Sequence, residues 1–593
     1  MLEALYKYAQ EHQLAAVPGF KPKNVKYYIS LSAGGDFIGF DIVEKGTEPP
    51  MCPDIGSLAN GTSKSNIIAE KAEVIFNLPD KNGVCKRELK QKFYFDALTE
   101  AGEHDPLFRP AAERMLEQLD AIRDAFLQLP KAKTADFISI KVDGKPLESS
   151  SGYLAWWESF RKQFDTKKKR GTARCLITGE LIDPVKTVPT VQGLLRVGGN
   201  KQGDRLICFD KDAYCSYELK QAANAAVSEE AVTGVNAALA KLMQEAPQPL
   251  AGAKSIHWFS QQTENDMFSL LDTSLDFGFG DSEQPDTAEQ IKDDEVKVQR
   301  MFRALMERSV PDMPENRYYM LSLTGVNGRV MIRSYDEGTY DALCTNLRTW
   351  YEDLSIDDPG YGKTYPKLFG VYSRLLKWST DKKKLKERID KELSGIAPQI
   401  LYAILHNFLL PDAAAAKALA YIRSDMYSST EDSKTQNIPD KTACQFLKAW
   451  LCRRYRNQHK EAYIVKDKLN PESPSLAYQT GRLMAVYAAL QNAALGSVNA
   501  GVVERYYTSA CTSPALVMGK LATMAQYHLS KLKGDKPGLY HIYSKQLEEI
   551  SCLIGAEIPK RFDLEQQSEF ALGYYFQCAE IRRQKTKKTE TEE

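Results

Sequence analysis

The chain has 593 residues, 78 Lys+Arg against 78 Asp+Glu, and 43% hydrophobic residues. That length exceeds one hydrophobic core and implies roughly two to four domains, while the apolar and charged fractions exclude a disordered or fibrous chain. The most apolar stretch, IAPQILYAILHNFLL, is interrupted by Pro398, Gln399, His406 and Asn407 and is too short to span a bilayer, so no membrane partner is expected.

In chain order, MLEALYKYAQEHQ reads as a short amphipathic helix with acidic residues, not a signal peptide. Val25, Tyr27, Ile29 and Leu31 alternate with polar or solvent-tolerant neighbours. Ile38, Phe40 and Ile42 do the same after Gly34-Gly35-Asp36, which predicts a hairpin. Residues 44–66, rich in Pro, Gly, Ser, Thr and Asn, read as a long surface loop. Helix is expected over 105–129, with Asp105 as its N-cap, and a strand over TADFISIKV with Asp143-Gly144 as its turn. Helical stretches follow from 211 to 245, then an acidic patch within 262–298. YYMLSL and RVMIRSY flank Asn327-Gly328, the preferred type I′ pair, and predict a second hairpin. Beyond about 338 nearly everything reads as helix, with a polar linker at 428–440. The expected class is α+β: a mixed N-terminal half with antiparallel hairpins, then a mainly helical half ending in a bundle. Boundaries are placed at 1–345, 346–435 and 436–593.

The last quarter is the best punctuated. Ser473 and Ser513 each precede a proline, an N-cap followed by a residue whose missing N–H costs nothing there. Leu476, Leu483, Tyr487 and Leu490 share a helical face, and Asp563 with Gln566 three residues later resembles a capping box. Between Asp440 and Lys588 there are 22 Lys+Arg and 13 Asp+Glu, a basic excess inside a neutral chain that points to a phosphate-binding face.

Common catalytic signatures are missing: no G-x-x-x-x-G-K-[ST], H-E-x-x-H or G-x-S-x-G occurs. The seven histidines are scattered, and the His104-Asp105 doublet, a metal pair in some nucleases, is more simply a helix cap. Eleven cysteines form no C-x-x-C, which fits reduced thiols and a cytoplasmic location. CLITGELIDP resembles half a zinc knuckle, but Cys208 and Cys215 lie far from Cys175, so a turn with a buried thiol is the better reading. No catalytic residue, metal or cofactor is expected.

GRLMAVYAALQNAA, ERYYTSACTSPA, LATMAQYHLSKL and FALGYYFQ resemble the signature blocks of the CRISPR-associated large subunit of the type I-C Cascade surveillance complex. TGVNGRVMIRSYDEG, CLITGELIDPVKTVPTVQG and ANGTSKSNIIAEKAEVIF resemble family blocks in the same order. The resemblance implies a non-enzymatic subunit whose N-terminal half docks at the guide RNA 5′ end and inspects the protospacer-adjacent motif. It implies a C-terminal part that holds the displaced strand. The implied partners are guide RNA, double-stranded target DNA, the other Cascade subunits (backbone, guide 5′-end and small), and a helicase–nuclease. The small subunit is often the C-terminal segment translated separately, for which Met484 is a suitable start. The competing readings are a nuclease with an unfamiliar site and a scaffold that binds only proteins.

The resemblance places the motif-probing loop at NGTSKSNIIAE, with Asn66 the first candidate, then Lys64 and Ser65; Gly61 would let the backbone approach the duplex. This chain has Ile67 where the family carries an aromatic. Arg161 to Arg174 is a basic run whose Lys167, Lys168, Lys169 and Arg170 are candidates for nucleic-acid backbone contact, as are Arg329 and Arg333 on one strand face. Arg453, Arg454, Arg482, Arg505, Lys531 and Lys533 are candidates for a displaced-strand groove. The neighbouring tyrosines, Tyr506, Tyr507 and Tyr527, are read as core, and the charges as the groove.

Overall fold

A computed structural model describes all residues but 13, 15–18, 45–46, 48, 80–82, 165–172, 210, 215–218, 220, 272–297, 299, 312, 359–361, 364, 378–380, 382, 427–437, 497–500, 556 and 593. The chain forms two compact units, Met1–Val191 with Arg205–Lys241, and Gln192–Asp204 with Leu242–Glu593. The sequence boundary near 345 falls inside a helix, Tyr340–Leu354.

The first unit is built on a mixed sheet. Strands β1 (Val25–Leu31) and β2 (Phe37–Ile42) form the expected hairpin, and Gly35 takes the left-handed conformation its turn requires (φ +87°). Strand β3 (Glu70–Lys71) and β4 (Phe137–Val142) complete the order β2-β1-β4-β3, with β1 and β4 parallel. Asp143 and Gly144, both at positive φ, make the turn after β4. Helix α1 (Glu88–His104) buries Tyr94, Phe95, Leu98 and Ala101, and α2 (Leu154–Lys162) buries Trp156, Trp157 and Phe160 in the same core. Asp105 ends α1 instead of starting a helix; its carboxylate accepts from the Leu107 N–H (3.0 Å). The helical stretch expected over 105–129 is two helices, Arg109–Arg114 and Leu119–Leu127.

The second unit opens with an antiparallel meander, β5 (Lys254–Phe259), β6 (Arg317–Val326) and β7 (Arg329–Thr339). Asn327 (φ +49°) and Gly328 (φ +80°) form the type I′ turn. Thr339 caps α3 (Tyr340–Leu354) by accepting from the Ala342 N–H. There follow α4 (Ala397–His406), α5 (Asp412–Met426), α6 (Lys441–Asn457), α7 (Leu476–Leu495), α8 (Val502–Thr512), α9 (Met518–Asp535), α10 (Pro537–Ile554) and α11 (Leu564–Glu592). One hydrophobic core runs unbroken from the meander through α3–α6 into the bundle α7–α11. Fold class α+β is therefore as the sequence predicts, with sheets early and helices late.

Within the bundle, α7 packs against every other helix, and most intimately against α11. The Asp563–Gln566 box forms reciprocally (3.0 and 2.9 Å). The cap of α7 is Ser475, which accepts from the Tyr478 N–H (3.1 Å), not Ser473. Met484 is fully buried in mid-helix, so a product beginning there would lack the first turns of α7.

Candidate nucleic-acid interface

The loop of the first unit divides into an exposed tip and a buried base. Gly61, Thr62 and Ser63 are exposed and Lys64 is half-buried, its Nζ 3.9 Å from the centre of the Phe164 ring. Such a cation over an aromatic face contributes about 0.5–1 kcal/mol at a partly exposed site. Gly61 has φ −69°, so its backbone does not require glycine.

Below the tip the polar groups are consumed by the protein itself. The Asn66 side chain accepts from the Ile55 N–H (3.2 Å) and donates to Glu70 Oε2 (3.2 Å), while its backbone N–H donates to the same oxygen (2.8 Å). The other Glu70 oxygen accepts from the Lys71 N–H. Ser65 donates to the Lys90 carbonyl (3.1 Å), and Lys90 Nζ to the Ala59 carbonyl (2.7 Å). Burial, then the nearby Arg87 charge, lowers the Lys90 pKa. Ile67 and Ile68 are buried, and Ile68 is held at φ +60°, a costly conformation for a β-branched residue, with its carbonyl accepting from the Tyr94 hydroxyl. The first sequence candidates are thereby corrected. Asn66 and Ser65 face inward with their hydrogen bonds made, and they brace the tip instead of presenting base-reading groups.

Lys167, Lys168, Lys169 and Arg170 lie outside the described residues. Arg329 and Arg333 are exposed on one face of β7, and Arg333 Nε donates to Thr324 Oγ1 (3.1 Å).

The bundle separates its cations into two classes. Arg453, its side chain 2% exposed, donates to Asp353 (3.2 Å) and to the Ala403 and Phe408 carbonyls (2.5 and 2.9 Å), which closes the end of α4. Arg454 pairs with Glu565 and with Asp412 (2.8 Å). Arg482, also buried, donates to Gln577 (3.0 Å), Gln479 (2.7 Å) and the Pro471 carbonyl (3.2 Å). These three belong to the scaffold, not to a groove. Their helices carry the basic excess, but carboxylates and carbonyls of the protein already engage these guanidinium groups.

Arg505, Lys520, Lys531 and Lys533 are exposed. Lys520 and Tyr527, with Lys531, recur at helical spacing on one face of α9, and Lys520 Nζ sits 5.3 Å from the Tyr506 ring on α8. Lys533 lies 5.9 Å from the Tyr540 ring on α10. Tyr507 is fully buried as expected, whereas Tyr527 is 73% exposed, so the core reading fails for it. From Val502 to Lys545 there are six Lys/Arg and two Asp/Glu, and Glu504 is engaged at the start of α8 through the Gly501 N–H. An exposed array of ammonium groups and ring faces suits a flexible phosphate backbone with unstacked bases. Sequence reasoning named neither Tyr540 nor the Lys520–Tyr506 contact as a site; the seven-residue spacing of Lys520 and Tyr527 was the available signal.

Cys175 sits in its turn as a buried thiol that accepts from the Ile177 and Thr178 N–H groups (3.4 and 3.5 Å). Burial raises its pKa, but hydrogen bonds from Thr178 and these amides outweigh that and hold it down at about 7. Among the described residues no group of three or more His, Cys, Asp and Glu side chains could hold a metal, and no helix is long and apolar enough to cross a membrane.

No curated protein matches the chain. The family model for the CRISPR-associated protein Cas_Csd1 matches residues 2–582. The chain belongs to this CRISPR-associated Csd1 family, in keeping with a large subunit of a type I-C Cascade.

Proposed function

We propose that the protein is the non-catalytic large subunit of a type I-C surveillance complex, with the loop tip Gly61–Lys64 probing the duplex motif beside a target. The observation that carries this reading is the division of labour in the loop. Gly61, Thr62 and Ser63 project, with Lys64 half-buried at their edge, while Ser65, Asn66, Glu70 and Lys90 are locked beneath them. A pre-ordered tip loses little entropy when it meets DNA, so a few contacts of about 1–3 kcal/mol each suffice to discriminate.

In this reading guide RNA supplies sequence recognition by pairing, and strand exchange is close to balanced, so modest protein contacts tip it. The exposed face of α8–α10 takes the displaced strand through Arg505, Lys520, Tyr527, Lys531 and Lys533. The backbone, guide 5′-end and small subunits would surround it, and a separate helicase–nuclease would cut the DNA.

The test is binding of motif-bearing and scrambled-motif duplexes by the assembled complex carrying Thr62→Ala, Ser63→Ala and Lys64→Ala together. The reading predicts at least about tenfold weaker binding to the motif duplex, equal to about 1.4 kcal/mol, with guide loading and melting unchanged. Unchanged discrimination between the two duplexes would overturn it.

A further inference from the structure

In the second unit a loop is seated against the turn of the β6–β7 hairpin, and only glycines permit the fit. A Cβ on Gly325 would lie 2.2 Å from the Gly199 Cα, and one on Gly198 would lie 2.6 Å from the Gly325 carbonyl oxygen. Real Cβ atoms do not approach so closely, so the two backbones touch here. Gly198 is itself left-handed (φ +87°), and the Asn200 Nδ2 lies 3.1 Å from where a Gly328 side chain would begin. The loop is closed from within. Asp204, fully buried, accepts from the Asn200 N–H (3.2 Å), and the Gly203 N–H donates to the Asn200 carbonyl (3.0 Å).

This docking gathers cations from distant parts of the sequence. Lys201 is exposed beside Asn200, and Arg329 follows the Gly328 that Asn200 approaches. Arg333 reaches Thr324, the neighbour of Gly325. Arg196 is exposed at the start of the same loop, its guanidinium on the neutral Gln248 amide (2.6 Å). Behind them Lys254, on β5 opposite Leu323, is buried and donates to the Ala246 and Pro247 carbonyls (both 2.8 Å). Burial, then the positive charge of Arg196, lowers its pKa; no carboxylate is among the causes. Asp204 is the acid built into the loop, and it is buried with both oxygens turned toward the Asn200 N–H. The hairpin end therefore gathers exposed basic side chains from two distant segments of the chain.

We propose that the loop Gly198–Asp204 and the β6–β7 turn form one composite phosphodiester-binding site, in which Lys201, Arg329 and Arg333 hold successive phosphates of a single strand. The ligand chemistry is a sugar–phosphate backbone, supplied by the guide or by the target. Gly199 and Gly325 are positioning residues, since their contact sets where Lys201 stands relative to Arg333. The inference deepens the nucleic-acid-binding reading above and rests on it, but it uses neither the loop tip Gly61–Lys64 nor the bundle.

The test is fluorescence anisotropy of the full-length chain with fluorescein-labelled single-stranded RNA, and with single-stranded DNA of the same sequence, over a series of salt concentrations. Lys201→Ala and Arg333→Ala change exposed side chains, and unchanged circular dichroism and melting confirm the fold. Each is expected to reduce the slope of log affinity against log salt by about 0.7 and the double variant by about 1.4; at 0.15 M salt a slope of 0.7 corresponds to roughly a fourfold loss. Loss on RNA alone assigns the site to the guide, and loss on DNA alone assigns it to the target. Slopes unchanged on both strands overturn the proposal. Duplex-motif discrimination is expected to survive both substitutions, so a failure of the loop-tip reading and a failure of this site are told apart.

Discussion

Gly481 on α7 and Gly573 on α11 seat reciprocally on each other's helix. A Cβ at Gly481 would stand 2.0 Å from the Phe570 carbonyl oxygen, and one at Gly573 would stand 2.1 Å from that of Tyr478. Both glycines lie inside segments that resemble family signature blocks, GRLMAVYAALQNAA and FALGYYFQ. In these two blocks the glycines mark where the helix backbones meet. Gly481→Ala and Gly573→Ala must push the helices apart, and each is expected to cost about 1–3 kcal/mol or more in urea unfolding. Being in one contact, the two losses should not add. A change below about 0.5 kcal/mol for either would show that the helices do not meet this closely.

The two classes of bundle cation should separate in experiment. Arg453→Ala leaves Asp353 buried without that partner and is expected to destabilise by about 3–5 kcal/mol. Lys520→Ala and Lys531→Ala, on the exposed face of α9, should leave the melt unchanged and each reduce the salt slope of single-strand binding by about 0.7. An unchanged melt for Arg453→Ala, or unchanged slopes for the lysine variants, would reverse the assignment.

The loop base warns against a tempting experiment. Asn66→Ala strands the buried Ile55 N–H, which costs about 1–3 kcal/mol, and removes one of the three hydrogen bonds to the Glu70 carboxylate, leaving those from the Asn66 and Lys71 backbone N–H groups. A loss of DNA binding on that substitution is therefore expected together with a lower melting temperature. Ser63→Ala, at the exposed tip, should change binding without changing the melt. Equal stability for Asn66→Ala and the wild type would contradict the brace.

Asp425, near the end of α5, has its pKa raised to about 6 by burial, then by the charge of Asp440, with Arg374 acting against them. Because the folded value lies above the unfolded value of 3.8, its contribution to stability is complete below that value and is lost as pH rises through about 6. Asp425→Asn cannot ionise. It should melt higher than the wild type at pH 7.5, with the difference shrinking as pH falls from 6 to 4. A difference independent of pH would contradict the raised pKa.

Local signals carried most of the fold. Alternation and the Asn327-Gly328 and Asp143-Gly144 pairs located the hairpins because turn chemistry is set by a few adjacent residues. The parallel pairing of β1 with β4, distant in sequence, left no local trace. The candidate site was less legible for a related reason. Composition shows how many arginines a helix carries, but not that Asp353, Glu565 and Gln577 come from elsewhere to engage Arg453, Arg454 and Arg482. Asn66 was misread because a polar residue in a polar loop suggests exposure, although the following Ile67 and Ile68 pull it into the core. Nothing local in the sequence brings Gly198 and Gly199 to Gly325, and only the fold shows that they touch.

The central claim, that the tip Gly61–Lys64 meets the duplex motif, is tested most directly by photo-crosslinking. A benzophenone side chain is placed at position 63, and the assembled complex is bound to a target duplex and irradiated. The account predicts crosslinks confined to the base pairs of the motif, and none with a scrambled motif. Crosslinks distributed along the duplex regardless of motif, or formed only to protein while DNA stays bound, would contradict it.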